Sequence, residues 1–162
     1  MFSLFKKKVS LIQYCTTILN TIFSEEMASH FMRIKTGIPE PSISEAEQQV
    51  YLDEMYGAYL QLFSIAITKQ YKDFQISMDV SRCIDSYLTK KFGTKDLRNV
   101  ADAYNKAFGN SAQDGVLEMV KLFSLRIANS ELSQDAVDGF RELFYLFLSS
   151  ILKDLEKVKL VN

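Results

Sequence analysis

Hydrophobic residues recur at steps of three and four along almost the whole chain, the period of helices that bury one face. Phe5, Val9, Ile12, Leu19, Phe23, Met27, Phe31 and Ile34 follow that period and predict a first helix from about Phe5 to Lys35. Gly37 can supply a left-handed cap there, and Pro39 and Pro41 enforce the break. Ser44 and Glu47 then stand in capping-box spacing and open a second helix with an acidic first turn. From Met55 to Ile67 this helix reads MYGAYLQLFSIAI, with only Gln61 and Ser64 clearly polar. A helix apolar on nearly every side belongs at the centre of a domain. The run falls short of the roughly 18 apolar residues that span a bilayer.

Phe74, Ile76, Met78 and Val80 alternate with polar residues, as a strand would, but a single strand has no partner to pair with. The stretch is therefore expected to be a loop or short turn. A third helix follows it through Cys83, Ile84, Tyr87 and Leu88 to about Phe92, where Gly93 ends it. Thr94 can cap a fourth helix carrying Leu97, Val100, Ala101, Tyr104 and Phe108. Ser111 and Asp114 suggest the next start, and Ser133 caps a last helix that carries its apolar face from Val137 to Val158. The fold class expected over residues 1–162 is all-α: one domain, a bundle of about six mainly antiparallel helices. Two prolines and six glycines leave little punctuation for an all-β alternative.

Charge removes several function classes. The formal net charge is −1, so no global basic field attracts nucleic acid. Leu88 to Tyr104 can be drawn as a helix-turn-helix with Lys90, Lys91, Lys95 and Arg98 on phosphates, but Asp96 and Asp102 share the stretch. The two cysteines, Cys15 and Cys83, sit within apolar helical patterns and read as buried free thiols. No cleavable secretion signal is expected, and the protein reads as cytoplasmic. Residues 1–8 form a distinct local feature. Phe2, Leu4 and Phe5 precede or adjoin Lys6, Lys7 and Lys8, the composition of a weak peripheral membrane contact, or of a frayed helix start docked on the bundle.

Catalytic chemistry has one candidate pair. Glu26 and His30 are four apart on a helix, a spacing that can orient an imidazole for proton transfer. The simpler expectation is a histidine at the core edge beside Phe23, Met27 and Ile34. A single histidine leaves no di-iron ligand set, and its early position suits no haem iron, so neither metal nor cofactor is expected. The glycines never cluster into a phosphate-binding loop, and no nucleophile elbow is present.

The second and last helices carry more apolar residues than one core stripe requires, with LFYLFL unbroken from Leu143 to Leu148. Either both are central or one offers a face to a partner. Gly57, in mid-helix, implies a close helix crossing or a bound ligand. The leading expectation is a non-enzymatic interaction or regulatory module that associates with itself. The alternative is a bundle holding an apolar small molecule, in a cavity lined by Met55, Tyr56, Gly57, Tyr59, Phe63, Phe144 and Phe147. An enzyme using Glu26 and His30 stands third.

Overall fold

The computed structural model describes residues 7–33, 44–93, 96–109, 114–128 and 133–161. In chain order these form β1 (Lys7–Ser10), α1 (Leu11–Ile22), α2 (Glu25–Arg33), α3 (Glu45–Gln70), α4 (Phe74–Phe92), α5 (Leu97–Gly109), α6 (Gly115–Ala128), α7 (Gln134–Leu155) and β2 (Val158–Val161). The protein is an all-α single-domain bundle. Among the described residues it has seven helices rather than six, and one two-stranded sheet.

The extra helix comes from a break in the expected first one. After Ile22 the chain turns at Phe23, and Ser24 restarts it: its hydroxyl accepts the Met27 N–H at 3.0 Å, with Glu25 and Glu26 in the new first turn. That is an N-cap reinforced by the macrodipole. The break turns Phe31 fully inward and leaves His30 exposed. The expected start of this helix at Phe5 lies outside the described residues, as do Gly37, Pro39 and Pro41.

Two further expectations are corrected. Phe74–Val80 is helical, because the Asp73 side chain accepts the Gln75 N–H at 2.8 Å and starts α4 there. Val158 is not in the last helix. α7 ends at Leu155, and Val158 begins β2, which pairs in parallel with β1 in the register Lys7 to Val158 and Ser10 to Val161. The Tyr71 hydroxyl lies on the other side of β2, 3.3 Å from the Val158 carbonyl and 3.4 Å from the Leu160 N–H.

α3 is the axis, packed against every other helix. Its start is the expected capping box, with Ser44 and Glu47 bonded reciprocally. From Met55 to Phe63 every residue is buried. Neighbours are not all antiparallel. Gly57 meets Val100 and Ala101, and Gln61 bonds Asn105, so α3 and α5 run in parallel. α1 and α4 do too: Asn20 accepts from the Tyr87 hydroxyl at 2.8 Å, and the Phe23 carbonyl from Lys91 at 2.9 Å. No described helix is long and apolar enough to cross a membrane.

Candidate functional site

Of the seven residues proposed to line a cavity, Tyr59, Phe144 and Phe147 pack together, and the others are buried against further parts of the bundle. Tyr59 stands edge-on to Phe144, with centroids 5.9 Å apart, and lies 4.3 Å from Phe147. Phe31, from α2, fills the adjoining space at 4.9 Å from Tyr59 and 6.1 Å from Tyr56. Phe63 contacts Tyr14 of α1, and Met55 is fully enclosed. At Gly57 an added Cβ would stand 2.3 Å from Val100 Cγ1, so the missing side chain serves a helix crossing. Phe31 is the residue sequence reasoning left out of this cluster. Its inward turn depends on the break at Ser24.

Glu26 and His30 are both exposed on the outer face of α2. With Thr21, Ser24, Met27 and Ser29 they border an open depression of about 520 Å³. The Ser24 hydroxyl is committed to the backbone at both ends, donating to the Thr21 carbonyl and accepting from Met27. Water reaches the pair freely, whereas general acid–base catalysis gains from a sheltered, positioned imidazole.

One buried carboxylate holds three helices together. Glu54 of α3 takes a 2.7 Å hydrogen bond from the Tyr104 hydroxyl, and Arg126 donates to its two oxygens at 3.0 and 3.2 Å. Burial first, then the Glu54 charge, drives the Tyr104 phenol well above its ordinary pKa. At the start of α6, burial pushes the Asp114 carboxyl up, but the Leu117 N–H, the Tyr145 hydroxyl and Arg141 together outweigh it and hold it below its usual range.

Between α3, α4 and α5 lies a polar cleft of about 420 Å³. Its groups are already paired: Gln61 donates to Asn105 at 2.9 Å, and Arg98 donates to Ser81 at 2.6 Å and sits 3.7 Å from both Asp85 and Asp102. A ligand there would have to displace these partners.

A second groove, of about 640 Å³, runs between α1 and α4. Leu11, Ile12, Cys83 and the Tyr87 ring give it an apolar floor, while Asp79, Arg82 and Lys90 stand around it. Ile12 is 68% exposed although it sits in the first turn of a packed helix. Apolar centre and charged surround are the anatomy of a protein contact. Sequence reasoning missed this surface because Ile12 falls in step with the apolar stripe of the expected first helix.

No family model, curated protein or solved structure matches the chain. The functional reading rests on the geometry of these surfaces. Among the described residues no group of His, Cys, Asp and Glu has the arrangement of a metal site. Lys7 and Lys8, from the N-terminal segment, are exposed in β1, while Phe2, Leu4, Phe5 and Lys6 lie outside the described residues.

Proposed function

We propose that the protein is a non-enzymatic, cytoplasmic interaction module that associates with itself, and that a second copy occupies the α1–α4 groove. The exposed Ile12 within the groove's apolar floor carries this reading. An isolated exposed isoleucine is unremarkable, but one set beside an apolar groove has the form of an interface anchor. The charges favour a like partner. Arg82 and Asp79 stand 3.0 Å apart beside the groove, so a two-fold arrangement brings each to its opposite in the other copy. A net charge of −1 sets little repulsion between copies. Nucleic acid, metal and cofactor have no part in this reading. The rings packed between α3 and α7 weigh against an apolar small molecule there, and the exposure of His30 against an enzyme built on Glu26 and His30.

Sedimentation equilibrium tests the proposal. Wild type is expected to dimerise reversibly, and Ile12→Glu to raise the dissociation constant by about 100-fold or more, since burying an isoleucine contributes roughly 1.5–3 kcal/mol and a two-fold interface contains it twice. A wild type that stays monomeric to millimolar concentration, or an Ile12→Glu variant that dimerises unchanged, refutes it.

A further inference from the structure

The two cysteines of this chain are 68 positions apart in sequence and lie on α1 and α4, the two helices that border the groove. The pairing of α1 with α4 dictates this. Phe23, the residue that closes α1, is bonded to Lys91 of α4, and Asn20 to Tyr87. Because the helices run in parallel, the residues eight places before Phe23 and Lys91, a little over two turns back, face each other again. Those residues are Cys15 and Cys83, whose thiols are near enough to influence each other's charge. Cys15 is fully enclosed, whereas Cys83 is half-buried and forms part of the groove wall.

We propose that Cys15 and Cys83 are an oxidation site, at which a low-molecular-weight disulfide entering the α1–α4 groove reacts with Cys83 and Cys15 completes an intramolecular bridge tying α1 to α4. The order of events follows from the placement. Cys83 is the thiol a reagent reaches. Its sulfur, as thiolate, attacks one sulfur of the incoming disulfide, and the other leaves as a thiol once it takes up the proton Cys83 lost. Cys15 then attacks the Cys83 sulfur and expels the second half of the reagent, which takes up the Cys15 proton. In sum the protein loses two S–H hydrogens and gains one S–S bond, while the reagent loses one S–S bond and becomes two thiols. Burial, followed by the neighbouring Cys83 thiol, keeps the Cys15 proton on far above the usual thiol range. Its enclosure keeps outside reagents away, so Cys15 acts only on a sulfur delivered beside it, as the thiolate formed when its proton passes to the departing sulfur. Arg82 and Lys90 at the groove suit a reagent carrying carboxylates, such as glutathione disulfide.

The inference does not require self-association, and the test separates the two. Folded wild-type protein, dilute enough that no second copy covers the groove, is treated with glutathione disulfide, and the intact mass is read. The expected product is lighter by two hydrogens, carries no glutathione, and yields on digestion a peptide pair joined through Cys15 and Cys83 that dithiothreitol separates. Cys15→Ala is expected to keep one glutathione on Cys83, and Cys83→Ala to remain unmodified. If either variant fails to fold, the linked peptide pair from the wild-type protein decides. A stable glutathione adduct in the protein holding both cysteines, no reaction at all, or a bridge between two copies overturns the proposal.

Discussion

Gly57→Ala sets two opposing effects against each other where α3 meets α5. Alanine in place of glycine at mid-helix contributes about 1 kcal/mol of stability from backbone propensity. Against this, the new methyl carbon would stand 2.3 Å from Val100 Cγ1 and 3.0 Å from Val100 Cβ. Carbon atoms prefer roughly 3.5–4.0 Å. Val100 cannot easily turn aside, since a β-branched residue in a helix has essentially one favoured rotamer and leaving it costs on the order of 1 kcal/mol. Nor can the helices simply tighten elsewhere, because the Ala101 backbone nitrogen lies 3.3 Å from the same point. Overpacking of this kind costs about 1–3 kcal/mol, and a contact so short belongs at the upper end or beyond. The expected balance is a loss of about 2 kcal/mol, or a melting temperature lower by roughly 4–8 °C at this chain length. Val100→Ala alone removes two methyl carbons from a half-buried site and should cost about 1 kcal/mol. In the double variant the shortest clash is gone and the propensity gain remains. It should therefore come within about 1 kcal/mol of wild type, where independent effects would sum to about 3 kcal/mol. Urea unfolding followed by circular dichroism measures all four corners of this cycle. A Gly57→Ala protein more stable than wild type, or a double variant that shows only the sum of the single losses, would refute the close crossing.

Two other consequences concern buried polar groups. Tyr104→Phe leaves the Glu54 carboxylate one hydrogen bond short in a buried site and should lower unfolding stability by about 1.5–3 kcal/mol, the range for bonds to charged groups; a change within about 0.5 kcal/mol would mean water replaces the hydroxyl. Burial raises the Tyr59 phenol to about 12 and pushes the Tyr51 and Tyr104 phenols well above their ordinary value, so the stability these neutral phenols contribute is intact below their unfolded value of about 10 and is lost as pH rises through the folded values. Ultraviolet titration should show these tyrosines ionising late and together with loss of helix, and early, independent ionisation of all eight in a folded protein would contradict their enclosure.

The parts of the fold that were legible in the sequence are those whose signal is local and chemical. The capping box at Ser44 and Glu47 names its own start, and Ser133 caps α7 as its position suggests, accepting the Ala136 N–H. The apolar run from Met55 to Ile67 places α3 at the centre because no orientation of such a helix leaves a polar face for water. Gly57 pointed to a crossing for the same kind of reason. What stayed hidden was hidden by periodicity itself. The apolar stripe continues through Ile22 and Phe23 to Met27 and Phe31, so spacing alone cannot distinguish one bent path from two helices. The informative signal was Ser24 followed by Glu25 and Glu26, a cap with an acidic first turn inside the stripe. The alternation from Phe74 to Val80 misled in the opposite sense. Over seven residues a period of two and a helix with one exposed end can place the same side chains, and Asp73 was the deciding residue. The sheet had no comparable signal. Four residues on each side, paired across nearly the whole chain, carry no periodicity, and Val158 falls in step with α7.

The candidate surfaces follow the same logic one level up. Neither the α1–α4 groove nor the meeting of Cys15 with Cys83 is written in any single segment, because both depend on the parallel register between two helices separated by α2 and α3. That register becomes visible only through the bonds from Tyr87 to Asn20 and from Lys91 to Phe23. Parallel packing is also what gives the groove its character. A short turn between consecutive helices keeps them from packing in parallel along their lengths, whereas α1 and α4 are free of that constraint and align end for end, bringing the exposed Ile12 at the start of one beside Asp79 and Arg82 in the other. An apolar anchor, a charge pair and a reachable thiol thus stand on one surface although nothing in the chain places them near one another.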